Sequence, residues 1–189
     1  MTDPRAFACK EMLRNGLGVT VRHLMAHDRD RIAKAVRQLE RESIYTRLFS
    51  YRNELTEAGL DRIMRVDPER EVALVVTTGT GDGEIVIGAG RYFASSVSGE
   101  RTAEVAFVVE EDYQGLGIAG LLLGHLVSLA RAQGIAALEA DVLAENKSML
   151  AVFARSGLPT TTRRDGNTTH LRLALHAPQG GAAINRPMP

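Results

Sequence analysis

Val105-Ala-Phe-Val-Val-Glu-Glu-Asp-Tyr-Gln-Gly-Leu-Gly-Ile-Ala119 is the stretch on which the fold turns. Its apolar start reads as a buried strand, and the glycines after it lead into a long apolar helix. Gly115 and Gly117 let a backbone approach a ligand closely. The first helical N–H groups have no intrahelical partner, and the helix dipole adds partial positive charge there, so this end suits a phosphate or pyrophosphate. The loop contains no lysine, which leaves the binding to backbone amides. Glu110, Glu111 and Asp112 stand just before it and would repel phosphate unless they face solvent. Gly115, Gly117 and Gly120 loosely satisfy a dinucleotide fingerprint, with Glu139 and Asp141 at about the required distance. Three antiparallel-looking strands precede the loop, however, and a dinucleotide unit would need a parallel βαβ arrangement there.

Working outward, Tyr113 to Ala130 carries no Asp, Glu, Lys or Arg and includes Gly120-Leu-Leu-Leu-Gly124, a spacing found on membrane helices. The dense apolar part, Leu116 to Ala130, is shorter than the ~20 residues a bilayer core demands and contains His125 and Ser128. A buried helix is therefore expected. Upstream, Val19–Met25, Glu71–Thr77, Glu84–Phe93 and Thr102–Val109 read as strands. Helices are expected from Asp28 to about Leu39, over Ile44–Phe49 and from Thr56 to about Arg65. Downstream come a strand over Ala136–Leu143, a helix over Asn146–Arg155 and a hairpin about Asp165-Gly166-Asn167. This order predicts an α/β fold: a mixed, mostly antiparallel sheet flanked by helices. Residues 1–17 are expected to form a flexible extension, 18–175 the domain, and 176–189 a flexible tail.

The 189 residues suffice for one core, with 44% hydrophobic and 24% charged residues. The 23 basic and 23 acidic residues balance, giving no general attraction to nucleic acid or to an acidic membrane. Cys9 is the single cysteine, so an internal disulfide framework and a multi-cysteine zinc site are excluded, and a reducing, cytoplasmic setting is expected. The start, Met1-Thr-Asp-Pro-Arg5, has no apolar signal core. The five histidines form no pair at metal-ligand spacing, and no metal is expected.

Gln114-Gly-Leu-Gly-Ile-Ala119 resembles the acyl-CoA loop of the GNAT superfamily of N-acetyltransferases, and the order of elements matches that fold from about Val19 to Leu175. Ala144-Glu-Asn-Lys-Ser-Met-Leu-Ala-Val-Phe-Ala-Arg-Ser-Gly-Leu158 resembles the family's strand-end asparagine and its following helix. More narrowly, Ser43-Ile-Tyr-Thr-Arg-Leu-Phe-Ser50, Asp67-Pro-Glu-Arg-Glu71 and Ala103-Glu-Val-Ala-Phe107 resemble bacterial Pat-type protein lysine acetyltransferases, which modify acyl-CoA synthetases. In many of those the domain is fused to a large synthetase-like region or a nucleotide-binding domain, and 189 residues hold neither.

The resemblance implies acetyl-CoA as acyl donor and a protein substrate such as an acyl-CoA synthetase. It implies Glu104 as general base, its pKa raised by partial burial; on strand alternation alone Glu104 reads rather as a surface carboxylate. Backbone groups of Phe107, Val108 and Val109 would hold the pantetheine arm, and Gln114, Gly115, Leu116, Gly117, Ile118, Ala119 and Gly120 the pyrophosphate. Asn146 matches an asparagine that contacts pantetheine, and it also reads as a helix N-cap. Phe153 stands where many members carry a tyrosine that protonates the leaving thiolate; it is expected against the cofactor or in the core. The rival functions are acetylation of a small amine or peptide amino terminus, and a non-catalytic acyl-CoA-binding module.

Overall fold

A computed structural model describes residues 7–38, 57–97 and 99–176. The helix expected over Ile44–Phe49, the segment Ser43–Ser50 and the tail from residue 177 lie outside the described residues. Among the described residues, eight strands form one sheet: β1 (Ala8–Met12), β2 (Gly18–His23), β3 (Glu71–Thr78), β4 (Ile85–Val97), β5 (Glu100–Val109), β6 (Ala137–Leu143), β7 (Thr160–Asp165) and β8 (Thr168–Ala174). Their order is β1-β2-β3-β4-β5-β6-β8-β7. Every neighbouring pair is antiparallel except β5 and β6. The helices are α1 (Arg29–Gln38), α2 (Glu57–Met64), α3 (Ile118–Ala132) and α4 (Lys147–Ala154). The mixed, mostly antiparallel sheet expected from the sequence is the observed architecture.

β3 is apolar on both faces because both are covered. Val72, Leu74 and Val76 meet the main core under α3, whereas Val75 joins Ile32 of α1 and Leu60 of α2 on the opposite face. Edge strand β7 is mostly exposed and reads Thr-Thr-Thr-Arg-Arg-Asp, polar enough to discourage further pairing. α3 lies close on β4 because two glycines leave room. A Cβ on Gly88 would fall 2.7 Å from Ile118 Cγ2, and one on Gly90 2.9 Å from the Phe107 ring. No helix among the described residues is long and apolar enough to cross a membrane. The Gly120–Gly124 spacing instead continues to Ser128 as an exposed small-residue stripe, while Ile118, Leu122 and Leu126 are buried.

Residues 8–12, expected within a flexible extension, form β1. Its alternation of exposed and half-buried side chains has too few apolar residues to signal a strand by pattern. Pairing with β2 from Ala8 opposite Arg22 to Met12 opposite Gly18 holds it in place. Asp28 immediately precedes α1, as expected, but its carboxylate serves tertiary structure. It is fully buried, binds Arg22 through two hydrogen bonds of 2.7 and 2.8 Å, and accepts the Met25 N–H at 2.8 Å. Arg22 also meets Glu84 at 3.2 Å, so the network joins β2, the turn before α1 and the start of β4.

Candidate active site

β5 is the axis of the site. On one side it pairs with β4 along its length, from Val97 opposite Glu100 to Gly88 opposite Val109. On the other, the parallel register with β6 covers only Thr102 opposite Ala137, Ala103 opposite Leu138 and Glu104 opposite Glu139. Beyond Glu104 both strands continue but no longer pair. Alternate backbone N–H and C=O groups of residues 105–108 therefore face a gap rather than a neighbouring strand. An unpaired edge of this kind accepts an extended, amide-bearing ligand as an additional strand would.

The gap leads to the glycine loop. Gly115 and Gly117 adopt φ of 76° and 96°, in the left-handed region, so a Cβ at either would be strained. Gly117 is the N-cap of α3 and offers no side-chain cap, which leaves the first-turn amides of the helix available to an outside acceptor. Gln114 donates to the Val109 carbonyl at 3.5 Å, folding the loop back on the end of β5. Here opens a cavity of about 680 Å³. Of the residues singled out from the sequence, Val109, Gln114, Gly115, Gly117, Ile118, Ala119, Gly120 and Asn146 line it. Gly120, Gly124 and Ser128 form one wall, so the small-residue stripe of α3 faces ligand space. Asn146 caps α4, accepting the Met149 N–H at 3.1 Å, while lining the same cavity.

Three arginines that the sequence did not single out also line this cavity: Arg14, Arg131 and Arg155. Arg14 sits in the turn between β1 and β2, and a Cβ on Gly117 would lie 3.5 Å from its Nε. Cationic side chains thus join the backbone amides expected to act alone, an arrangement suited to a polyanion. Nothing in the loop itself signals Arg14, a hundred residues earlier. The acids before the loop do not line the cavity. Glu110 lines a separate apolar cavity of about 100 Å³, between α1, α2 and the opposite face of the sheet. Burial, and then the charges of Asp112 and Glu111, push its carboxyl above the usual range.

Four residues singled out from the sequence as cofactor contacts fall outside the lining of this cavity. Leu116 packs on the main core, outside the cavity lining. Phe153 is 1% exposed, its ring centroid 6.0 Å from that of Phe107, which selects the core alternative for this side chain. Phe107 and Val108 line the apolar cavity rather than the large one, although their backbone belongs to the unpaired part of β5.

Glu104 marks the point where β5 and β6 part. It is exposed, contrary to the partial burial expected of it, because it lies on the sheet face away from α3 with only Phe93 and Glu139 opposite it. Its neighbours have partners: Arg172 binds both Glu139 and Glu100, and His170 binds Asp141. Glu104 itself makes no ion pair among the described residues, leaving a carboxylate open to a proton donor from outside.

Comparison with known proteins identifies this arrangement. Residues 33–158 match the family described as "Acetyltransferase (GNAT) family". The chain belongs to the GNAT acetyltransferase family. It is 32% identical over 170 residues to Acetyltransferase PA5475 of Pseudomonas aeruginosa, covering 87% of this chain and 88% of that protein. It is 31% identical over 145 residues to Acetyltransferase Pat of Mycolicibacterium smegmatis, covering 77% of this chain and 42% of that longer protein. The crystal structure of the GNAT domain of S. lividans PAT superposes with a TM-score of 0.76 at 29% identity, covering 88% of this chain and 96% of that one. Membership makes the chain an N-acetyltransferase, and the acyl donor of this GNAT family is acetyl-CoA.

Proposed function

We propose that the chain transfers the acetyl group of acetyl-CoA to a lysine amine of a protein substrate by direct attack, with Glu104 as general base. The observation that carries this reading is Glu104 itself: exposed and without an ion pair among the described residues, at the parting of β5 and β6. The names of two relatives, Acetyltransferase Pat and S. lividans PAT, support the Pat-type assignment. An acyl-CoA synthetase is the first acceptor to test. The single cysteine accords with a cytoplasmic place of action.

The donor fits the observed space. Its pyrophosphate would lie on the amides at the start of α3, near Arg14, and its pantetheine arm along residues 105–109. Glu104 is five residues from Val109, about 17 Å along an extended strand, which an extended arm must span. A lysine amine is protonated near neutral pH, with a pKa of about 10.4, and must lose a proton to attack. Glu104 accepts it directly or through one water. A backbone amide of the unpaired β5 edge polarises the thioester carbonyl. Phe153 can supply no proton, and a thiol with a pKa of about 8.5 departs as thiolate or takes a proton from water.

Incubating the chain with acetyl-CoA and either an acyl-CoA synthetase or small amines, followed by mass spectrometry, tests the acceptor. Acetyl-lysine on the synthetase is expected; product on small amines alone would overturn the protein-lysine reading. A second expectation concerns the donor site. Arg14→Ala should weaken acetyl-CoA binding roughly tenfold, the loss of one charge-assisted contact worth about 1.5 kcal/mol. Calorimetric titration at low and high salt checks it. Equal affinities for the two proteins would remove Arg14 from the phosphate site.

A further inference from the structure

Away from the cleft, three donor atoms of different chemistry converge. Cys9 and Glu11 are two residues apart on β1 and therefore share a face, the half-buried one. His125 reaches them from α3, 114 residues away in sequence. Its Nε2 lies 3.1 Å from Glu11 Oε1, and Cys9 Sγ lies 3.4 Å from the same oxygen. Sulfur, nitrogen and oxygen all fall within 4.8 Å of one another. The Phe7 ring covers His125 at a centroid distance of 5.1 Å, limiting how the imidazole can turn. His125 and Glu11 side chains keep 18% and 32% exposure, so solvent can reach the cluster.

We propose that Cys9, Glu11 and His125 bind a zinc-class divalent cation, with water as the fourth ligand. Thiolate, imidazole and carboxylate are the donors that zinc takes. At Zn–S of ~2.3 Å and Zn–N or Zn–O of ~2.0–2.2 Å, tetrahedral angles separate the donors by about 3.4–3.6 Å. The two distances above are within a few tenths of an ångström of that range. On binding, the Cys9 thiol yields its proton to solvent and the thiolate sulfur takes the metal. The ion joins β1 to α3, and so braces the hairpin whose turn carries Arg14. Sequence spacing concealed the site because its donors lie on two elements far apart in the chain. The inference is independent of the acyl-transfer reading.

Cobalt(II) tests it directly. The full, untagged chain, freed of metal by a chelator, is titrated with Co²⁺ and followed by absorbance. One equivalent should produce a near-ultraviolet thiolate-to-cobalt band and the visible bands of a tetrahedral ion, and Zn²⁺ should abolish both. Cys9 is the only cysteine, so a thiolate band can come from nowhere else. Cys9→Ser should lose the band, and His125→Gln should weaken binding at least as much as the roughly 10–100-fold that loss of a supporting group costs. Zn²⁺ but not Mg²⁺ should raise the melting temperature of the wild type. The absence of a thiolate band in the wild type would overturn the proposal even if neither variant folds, and so would a band with unchanged affinity in His125→Gln.

Discussion

Replacing Glu104 by glutamine is expected to lower acetyl transfer about 10²–10⁴-fold, the usual contribution of a positioned general base. Glutamine keeps the shape and one hydrogen-bonding oxygen but cannot take a proton at neutral pH. The side chain is exposed and lies outside the lining of the large cavity, so the substitution should disturb neither the core nor the donor site. Acetyl-CoA affinity and melting temperature should therefore match the wild type, while turnover, measured with labelled acetyl-CoA, collapses. Rising pH should partly restore the variant, because more of the acceptor amine then arrives unprotonated. If turnover is untouched, the base is another group. If binding and stability fall with turnover, Glu104 has a structural role instead.

The largest expected effect on stability comes from Asp28→Asn. The wild-type carboxylate is fully buried between the Arg22 guanidinium and the Met25 N–H. The amide removes its charge and leaves Arg22, whose side chain is 9% exposed, with Glu84 at 3.2 Å as its remaining carboxylate and the His23 carbonyl at 3.1 Å. Breaking a buried pair in this way costs about 3–5 kcal/mol, a large share of the roughly 5–15 kcal/mol that holds an average domain together. Denaturant titration at neutral pH should show it. Burial alone would raise the Asp28 carboxyl, but the Arg22 and Met25 hydrogen bonds outweigh it and hold the group below its ordinary value of 3.8. A depressed folded-state pKa means that its stabilisation is complete above the unfolded-state value and is lost as pH falls through the folded-state one. The difference between wild type and Asp28→Asn should accordingly be widest near neutrality and close below pH ~3.8. A difference that is constant with pH would show that packing, not charge, accounts for the loss.

Both predictions concern side chains that the sequence marked but whose surroundings it did not disclose. Asp28 was readable as a residue at a helix start, because a short acceptor side chain before an amphipathic stretch is a local pattern. That its partner Arg22 also reaches Glu84 depends on β4 returning beside the turn, which no window around Asp28 records. Glu104 was legible only through resemblance, since an acid on an alternating strand reads first as a surface group. Its exposure follows from the sheet face it occupies, and the end of pairing beside it from where β6 diverges. Phe153 was ambiguous between ligand and core until Phe107 was seen to pack against it.

The chain by itself determined the succession of strands and helices, the glycine loop from Gln114 to Ala119 and the apolar face of α3. Those features arise from steric and hydrophobic preferences among residues within a few positions of one another, so their information is contiguous. Only the tertiary structure decided that the small-residue stripe of α3 faces a cavity, that Arg14 approaches Gly117, and that Cys9, Glu11 and His125 meet. The last two juxtapositions join residues about a hundred positions apart, and all three are set by how the sheet pairs and how helices settle on it. Side chains brought together in that way carry no shared local pattern, and their chemistry becomes visible only once the chain has closed on itself.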